Sequence, residues 1–386
     1  MDNIKIAMLS DSFFPVKGGR EYAIDNIMTN FAKTNTCFLG CPKFGKYKSS
    51  TPVDYKVYRC NSLSFSKNEV LSFANRAFRE QFESNKFDII HVQTKYGLAS
   101  YAIKLKKKYN VPLVSSVHTN YPELYKKQIK FPLARTIALS RVKYVLSKSD
   151  HIITVSPQMQ ETLIQMGIKT PITVIPNGCD LTYPENPQLI VEKIDKIYGL
   201  KDIQNVMLFV GRLHKTKNFN FLLESLAKLK ELFGSNFLLL AVGNGNFSRY
   251  EKQIEALGLS RNVRLLGEIT DRDVLQALYL RSDLHVCPSV IESFGMTIQE
   301  SASQKTPSIV IENIATANNI VDEENGFISS QNPLVFASKL SIALGNKQKL
   351  TEIGEKAFLT LNNSWEDVSA LHLETYKNII ENKKGQ

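Results

Sequence analysis

Long apolar runs are missing from this chain of 386 residues. No stretch approaches the roughly 18 unbroken apolar residues that a membrane-spanning helix requires, and the opening MDNIKIAMLSDSFFP meets Asp11 before a signal-peptide core can form. A cytoplasmic protein, peripheral on the inner face of the cell membrane at most, is expected. Cysteine is scarce as well. Cys37, Cys41, Cys60, Cys179 and Cys287 are odd in number, scattered, and form no Cys-x-x-Cys pair, which argues against a disulfide framework or a zinc ribbon. No histidine cluster has metal-ligand spacing and the sequence is read as free of an Asp-x-Asp metal-binding signature, so no metal is expected. There is neither an internal repeat of fixed period nor a low-complexity tract.

Acidic residues are sparse in one half only. Residues 1–190 hold 26 Lys and Arg against 14 Asp and Glu, and the remainder holds 22 against 23, so the net charge of +11 belongs to the N-terminal half. It concentrates in KLKKKYN (Lys104, Lys106, Lys107, Lys108) and in YKKQIKFPLARTIALSRVKYVLSKS (Lys126, Lys127, Lys130, Arg135, Arg141, Lys143, Lys148), where cations interleave with apolar residues at helical spacing. Such a face suits an anionic leaflet or an acidic acceptor. For the first run, a solvated helix surface is the plainer alternative. The cations lack aromatic stacking platforms within a recognisable nucleic-acid motif, so no nucleic acid partner is expected.

What is abundant is alternation. KIAMLS, FDIIHVQ, VPLVSSVH, HIITVS and ITVIPNG, then VMLFVG, NFLLLAVG, VRLLGE, LHVCPS and TPSIVIE, are short β-branched or apolar runs, each followed by amphipathic helical sequence. That pattern predicts an α/β fold with two doubly wound, Rossmann-like domains. The proline-bearing stretch CDLTYPENPQ, residues 179–188, separates them. The domains are placed at 1–185 and 190–362, with a last helix at about 365–386, opened by a Ser364/Asp367 capping box, returning to the first. In open α/β sheets ligands bind beyond the carboxyl ends of the strands, and the candidate chemistry falls there.

After LHVCPS comes VIESFGMTIQE: Glu292, a flexible turn, then a helix bearing Glu300. The turn sets the amides of Phe294, Gly295, Met296 and Thr297 at a helix N-terminus, a ready site for phosphate. The two glutamates, eight residues apart, can bracket that phosphate and hydrogen-bond hydroxyl groups. In VGRLHKTKNFN a strand is followed by Arg212, Lys215 and Lys217, placed to neutralise a diphosphate leaving group. Gly18 and Gly19 stand between a strand and a helix, either as an ordinary turn or as a close approach for a phosphate or sugar. His118 ends the strand VPLVSSVH and is either a satisfied core histidine or a sugar contact. His91, His151, His214, His285 and His372 offer less. Asn177 and Gly178 read as a hinge turn of positive φ.

The ordered set GGRE (Gly18 to Glu21), VIPNGCD, VGRLHKTK (Val210 to Lys217), VGNGN (Val242 to Asn246), PSVIESFGMTIQE and ENGF (Glu324 to Phe327) resembles the retaining family-4 glycosyltransferases of GT-B architecture. The resemblance implies two domains facing across a cleft, a nucleotide-sugar donor that is a substrate rather than a cofactor, and UDP in preference to GDP as its carrier. It implies further that Glu292 contacts the donor hexose and Glu300 the ribose. Arg212, Lys217 and the amides of residues 294–297 would hold the diphosphate, Gly19 would approach it as the cleft closes, and His118 would line the sugar. HTNYPELY is similar to the relatives that glycosylate diacylglycerol or other membrane lipids; a soluble saccharide, a polysaccharide or a protein acceptor stays open. NIATANNIVDEENGF departs from the Gly-Gly-containing loop of many relatives, which leaves donor contacts by Thr316 to Asn319 undecided.

Overall fold

The computed structural model describes residues 3–16, 18–43, 53–64, 70–95, 97–292 and 294–384. The chain folds as two compact units, one comprising Met1–Gly178 and Ser364–Gln386 and the other Cys179–Asn363.

The first unit runs β1 (Lys5–Leu9), α1 (Gly19–Ala32), β2 (Thr36–Pro42), β3 (Lys56–Ser64), β4 (Val70–Phe73), α2 (Arg76–Glu83), β5 (Ile89–Val92), α3 (Gly97–Tyr109), β6 (Leu113–Val117), α4 (Tyr121–Gln128), α5 (Pro132–Lys148), β7 (His151–Thr154), α6 (Pro157–Gln165) and β8 (Ile172–Val174). The strands order as β4-β3-β2-β1-β5-β6-β7-β8. All pairs are parallel except β3 with β4. Central strands such as β1, β5 and β6 are buried along almost their whole length and therefore read as short, largely apolar runs with few polar interruptions. β2, β3 and β4 lie outside the expected runs. Gly40 and Pro42 interrupt the apolar pattern of β2, and polar residues alternate along β3 at the antiparallel edge.

The second unit runs α7 (Pro187–Tyr198), β9 (Val206–Val210), α8 (Phe219–Phe233), β10 (Leu238–Val242), α9 (Phe247–Ala256), β11 (Val263–Gly267), α10 (Arg272–Arg281), β12 (Leu284–Cys287), α11 (Met296–Ser303), β13 (Ser308–Ile311), β14 (Phe327–Ser329), α12 (Pro333–Leu344) and α13 (Lys347–Leu361). Its wholly parallel sheet has the order β11-β10-β9-β12-β13-β14, which reverses direction of winding between β9 and β12. Three-residue β14 is too short to stand out in the sequence.

α14 (Trp365–Lys384) returns to the first unit. Ser364 Oγ accepts from the Asp367 amide at 3.0 Å and lies 2.6 Å from the Asp367 carboxylate, closing the expected cap. Tyr376 is fully buried, its ring 5.6 Å from that of Phe31 on α1. The expectation of positive φ at Asn177 and Gly178, which stand where the first unit gives way to the second, is corrected here. Neither residue has positive φ. Gly178 is small because α14 begins against it: a β-carbon there would lie 2.6 Å from Trp365 Cδ2 and 2.7 Å from the Trp365 amide nitrogen. Backbone cannot yield as a flexible side chain can. Gly178→Ala is therefore expected to destabilise the first unit by about 1–3 kcal/mol, read as a lowered urea midpoint followed by the fluorescence of Trp365.

Candidate active site

At the winding reversal of the second unit, the loops after β9 and β12 meet. Lys215–Lys217 form a turn of 3-10 helix, opened by His214, and the Val290 amide donates to Thr216 O at 3.1 Å, tying the β12 loop to that turn. Lys217 Nζ then donates to Glu292, and both side chains are mostly shielded from water. Burial alone would lower the Lys217 pKa, but the Glu292 carboxylate outweighs it and keeps the ammonium above its ordinary value. Arg212 is exposed and makes no hydrogen bond among the described residues, while its charge acts on Lys217.

Gly295 caps α11 in the left-handed region, φ 89°, a conformation that favours glycine, and a β-carbon there would also press on the Thr316 methyl at 2.8 Å. Met296 and Thr297 open the helix, so the amides of 295–297 stand at its N-terminus. Phe294, Gly295, Gln299, Thr316 and Asn319 line a cavity of about 40 Å³. The Gln299 Oε1 and Thr316 Oγ1 atoms are buried without partners among the described residues.

Glu300 is brought into a different network from Glu292. Arg272 bridges Glu300, at 3.0 Å, and Asp180, and the Tyr279 hydroxyl donates to Glu300 at 2.9 Å. Burial raises the Glu300 pKa against the pull of Arg272. The reading that the sequence is free of an Asp-x-Asp signature is corrected here: Arg272 lies in one such triplet, Asp271-Arg272-Asp273. This triplet caps a helix: Asp271 accepts from the amides of Asp273 and Val274 at 2.9 and 3.3 Å. Among the described residues no group of three His, Cys, Asp or Glu is arranged to hold a metal ion.

The first unit has its own cluster at the carboxyl ends of β1, β5 and β6. His118 Nε2 lies 2.6 Å from Gln93 Oε1. Burial, then the charge of Arg20, holds the imidazole down at about 3, so the ring is neutral at neutral pH. Gly18 precedes α1 with extended backbone, and the Glu21 carboxylate folds to within 2.6 Å of where its β-carbon would be. Gly19 is the first residue of that helix. Gln93, Arg20 and Arg272 were not legible as site residues; only their positions just after a strand or at a helix start carry a signal.

The basic face is smaller than its sequence suggests. Lys106 turns inward, donating to Asp150 at 2.7 Å and to Lys148 O at 2.8 Å, so it belongs to the fold. Arg135 and Arg141 are half-buried, the latter bonded to Ser100. Lys107, Lys126, Lys127, Lys130 and Lys143 are exposed. Beside them stand apolar side chains: Phe131 and Leu133 are each 75% exposed, Ile137 63% and Tyr144 47%. No helix among the described residues is long and apolar enough to cross a membrane.

Two Rossmann-like units with loop clusters at the carboxyl ends of their strands define a two-domain α/β protein of GT-B fold. The chain belongs to the glycosyltransferases: residues 18–183 match Glycosyltransferase Family 4 and residues 190–360 match Glycosyl transferases group 1. It is 26% identical over 336 residues to an alpha-monoglucosyldiacylglycerol synthase of Streptococcus pneumoniae, covering 84% of this chain and 74% of that protein. The synthase of the same name from Acholeplasma laidlawii is 24% identical, with 92% and 93% covered. Anabaena HepE, solved in complex with UDP and glucose, shares the fold with a TM-score of 0.77 at 20% identity, over 97% of this chain and all of that one.

The buried histidines give the first unit a pH signature. His91 is held well below its ordinary range by burial, His372 at about 4 and His118 at about 3, so the native state stays neutral where the unfolded chain takes up protons. Stability is thus complete above pH ~6.5 and falls as the pH drops below it, by up to about 1.4 kcal/mol per pH unit for each histidine. Asp11 and Asp25, both raised by burial, work in the opposite sense but are two groups against the three histidines. Between pH 7 and 5 the urea midpoint reported by Trp365 fluorescence is expected to fall.

Proposed function

We propose that the chain transfers a hexose from a UDP-sugar to a hydroxyl of a membrane lipid or lipid-linked glycan, with retention at the anomeric carbon and without a metal ion. The observation that carries the donor half is the Lys217–Glu292 pair beside the α11 N-terminus at the β9/β12 reversal. In this reading Lys217, Arg212 and the amides of Gly295, Met296 and Thr297 receive the diphosphate, with Phe294 leading into the turn. Glu292 accepts hydrogen bonds from hexose hydroxyls and Glu300, steadied by Arg272 and Tyr279, from those of the ribose. His118 lines the sugar, and the Gly18-Gly19 backbone approaches the donor.

Retention places the acceptor hydroxyl on the face from which the diphosphate departs, so stabilising the leaving group is the main electrostatic task. Fixed cations and a helix N-terminus perform it here, while the Asp271 and Asp273 carboxylates are set at a helix cap. HepE's UDP and glucose support the donor class. The names of the two monoglucosyldiacylglycerol synthases, together with the exposed apolar and basic surface at α4 and α5, support a lipid acceptor.

Arg212→Ala is expected to lower kcat for transfer from UDP-hexose roughly 10²- to 10³-fold, by analogy with loss of an oxyanion donor, in an assay with vesicles carrying diacylglycerol. Near-wild-type turnover would overturn its role. For the acceptor half, Leu133→Asp with Ile137→Asp is expected to weaken co-sedimentation with anionic vesicles by about tenfold or more, since each removes an apolar anchor. Unchanged sedimentation, with transfer to a soluble saccharide, would shift the acceptor to that class.

A further inference from the structure

His118 commits one ring nitrogen and not the other. Nε2 faces the Gln93 carbonyl oxygen at 2.6 Å, whereas Nδ1 is buried without a partner among the described residues. A ring nitrogen that faces a carbonyl oxygen carries the proton. Since a neutral imidazole has one proton, Nδ1 then presents a bare lone pair.

Gln93 is itself held. It is buried, and its amide nitrogen lies 3.3 Å from His91 Nε2. His91 is fully buried between Ser116 Oγ, 2.7 Å from Nε2, and the Tyr376 hydroxyl at Nδ1. With the Gln93 amide nitrogen toward His91, Nε2 is the accepting nitrogen, taken up by Ser116 Oγ at 2.7 Å with Gln93 as a longer second contact, and Nδ1–H faces the Tyr376 hydroxyl. The Gln93 amide then points its oxygen, not its nitrogen, at His118. Rotating it by half a turn would turn an N–H toward His118 Nε2 and move the ring proton to Nδ1, so the amide orientation and the tautomer are set together.

We infer that Gln93 is a positioning residue which, backed by His91 and by Tyr376 of the returning α14, locks His118 in its Nε2–H form so that Nδ1 accepts a hydrogen bond from a hydroxyl of the transferred sugar. Gln93 touches no substrate in this scheme. Its influence runs through the tautomer of the ring next to it, as the outer partners of liganding histidines fix theirs. The sugar contact rests on the glycosyltransfer reading, while the tautomer lock does not.

The test is nitrogen NMR of the full chain labelled with 15N-histidine, which has six histidines; the His118 signals are assigned by their loss in His118→Asn. In the wild type between pH 6 and 8 the expected result is a protonated Nε2 and an unprotonated Nδ1. An Nδ1–H ring or an imidazolium overturns the lock without recourse to any variant. Gln93→Met, close in shape but unable to accept, is expected to give mixed tautomers and a kcat about 10- to 100-fold lower, with KM for UDP-hexose within about twofold. A purely structural role would lower the unfolding midpoint while leaving the tautomer and kcat in place, and that result also overturns the proposal. Should the wild type transfer no hexose from any nucleotide sugar, the reading of function falls, and the NMR result still decides the lock.

Discussion

A lysine ammonium taken out of water needs a counter-charge, and the second unit is arranged around meeting that need. Lys217 and Glu292 lie 75 residues apart in the chain, on loops after the adjacent strands β9 and β12, and the amide of Val290 pins one loop to the other. Burial pulls the lysine pKa down, and the Glu292 carboxylate more than offsets it, so the ammonium is held above its ordinary value. The pair therefore keeps a full positive charge beside the N-terminus of α11 in the absence of any anion. An arriving diphosphate would find that charge already in place, because a lysine has three donors and Glu292 occupies only some of them. Arg212, exposed and unconstrained by hydrogen bonds to the described residues, complements it as the cation that can adjust. One is fixed and the other adaptable, a division that suits a group whose charge grows as its bond to the sugar breaks.

The first unit solves a related problem with neutral groups. Its sheet terminates in a cluster where burial is complete, and ionised side chains there would be costly. His91 and His372 are accordingly neutral, and His91, Gln93, Ser116 and Tyr376 are joined in one chain of hydrogen-bond contacts. The network is completed from far along the chain, since Tyr376 lies 285 residues beyond His91. Hence the tight seat of Trp365 on Gly178 has a consequence at the site: it sets where α14 begins, and α14 delivers the hydroxyl that orients His91.

These two networks show where reading the sequence succeeds and where it stops. Short, largely apolar runs mark β1, β5 and β6, and β9 through β13, so these were legible, as were the loops just beyond them that carry Lys217, Glu292 and His118. The capping pair Ser364 and Asp367 was legible because both partners lie within one turn. Contacts across the sheet left no such trace. Nothing in the spacing of Glu300 announces Arg272, whose own triplet with Asp271 and Asp273 resembles a metal signature until the cap is seen. Gln93 looks like any polar residue after a strand. Lys106 counts toward a basic run by composition and is turned inward to Asp150 by geometry. In contrast, the apolar pair Leu133 and Ile137, one helical turn apart, belongs to the run whose interleaved cations and apolar residues were legible in the sequence.

That pair decides how the basic surface is best understood. Among the residues of α5 only Val142, Val145 and Leu146 are buried, so its first half gains little from packing, and short helices are marginal on propensity alone. Exposed apolar side chains at its start are unfavourable in water and favourable at a lipid boundary. Cations by themselves would act over about a Debye length and weaken with salt; apolar groups by themselves would suit many partners. Joined on one surface, with Lys126, Lys127 and Lys130 leading into Phe131 and Leu133, they supply a long-range attraction to anionic headgroups and a short-range anchor at the acyl boundary. A soluble saccharide would use neither term. The lipid-acceptor reading draws its physical support from that coincidence of charge and apolar surface, more than from the count of lysines.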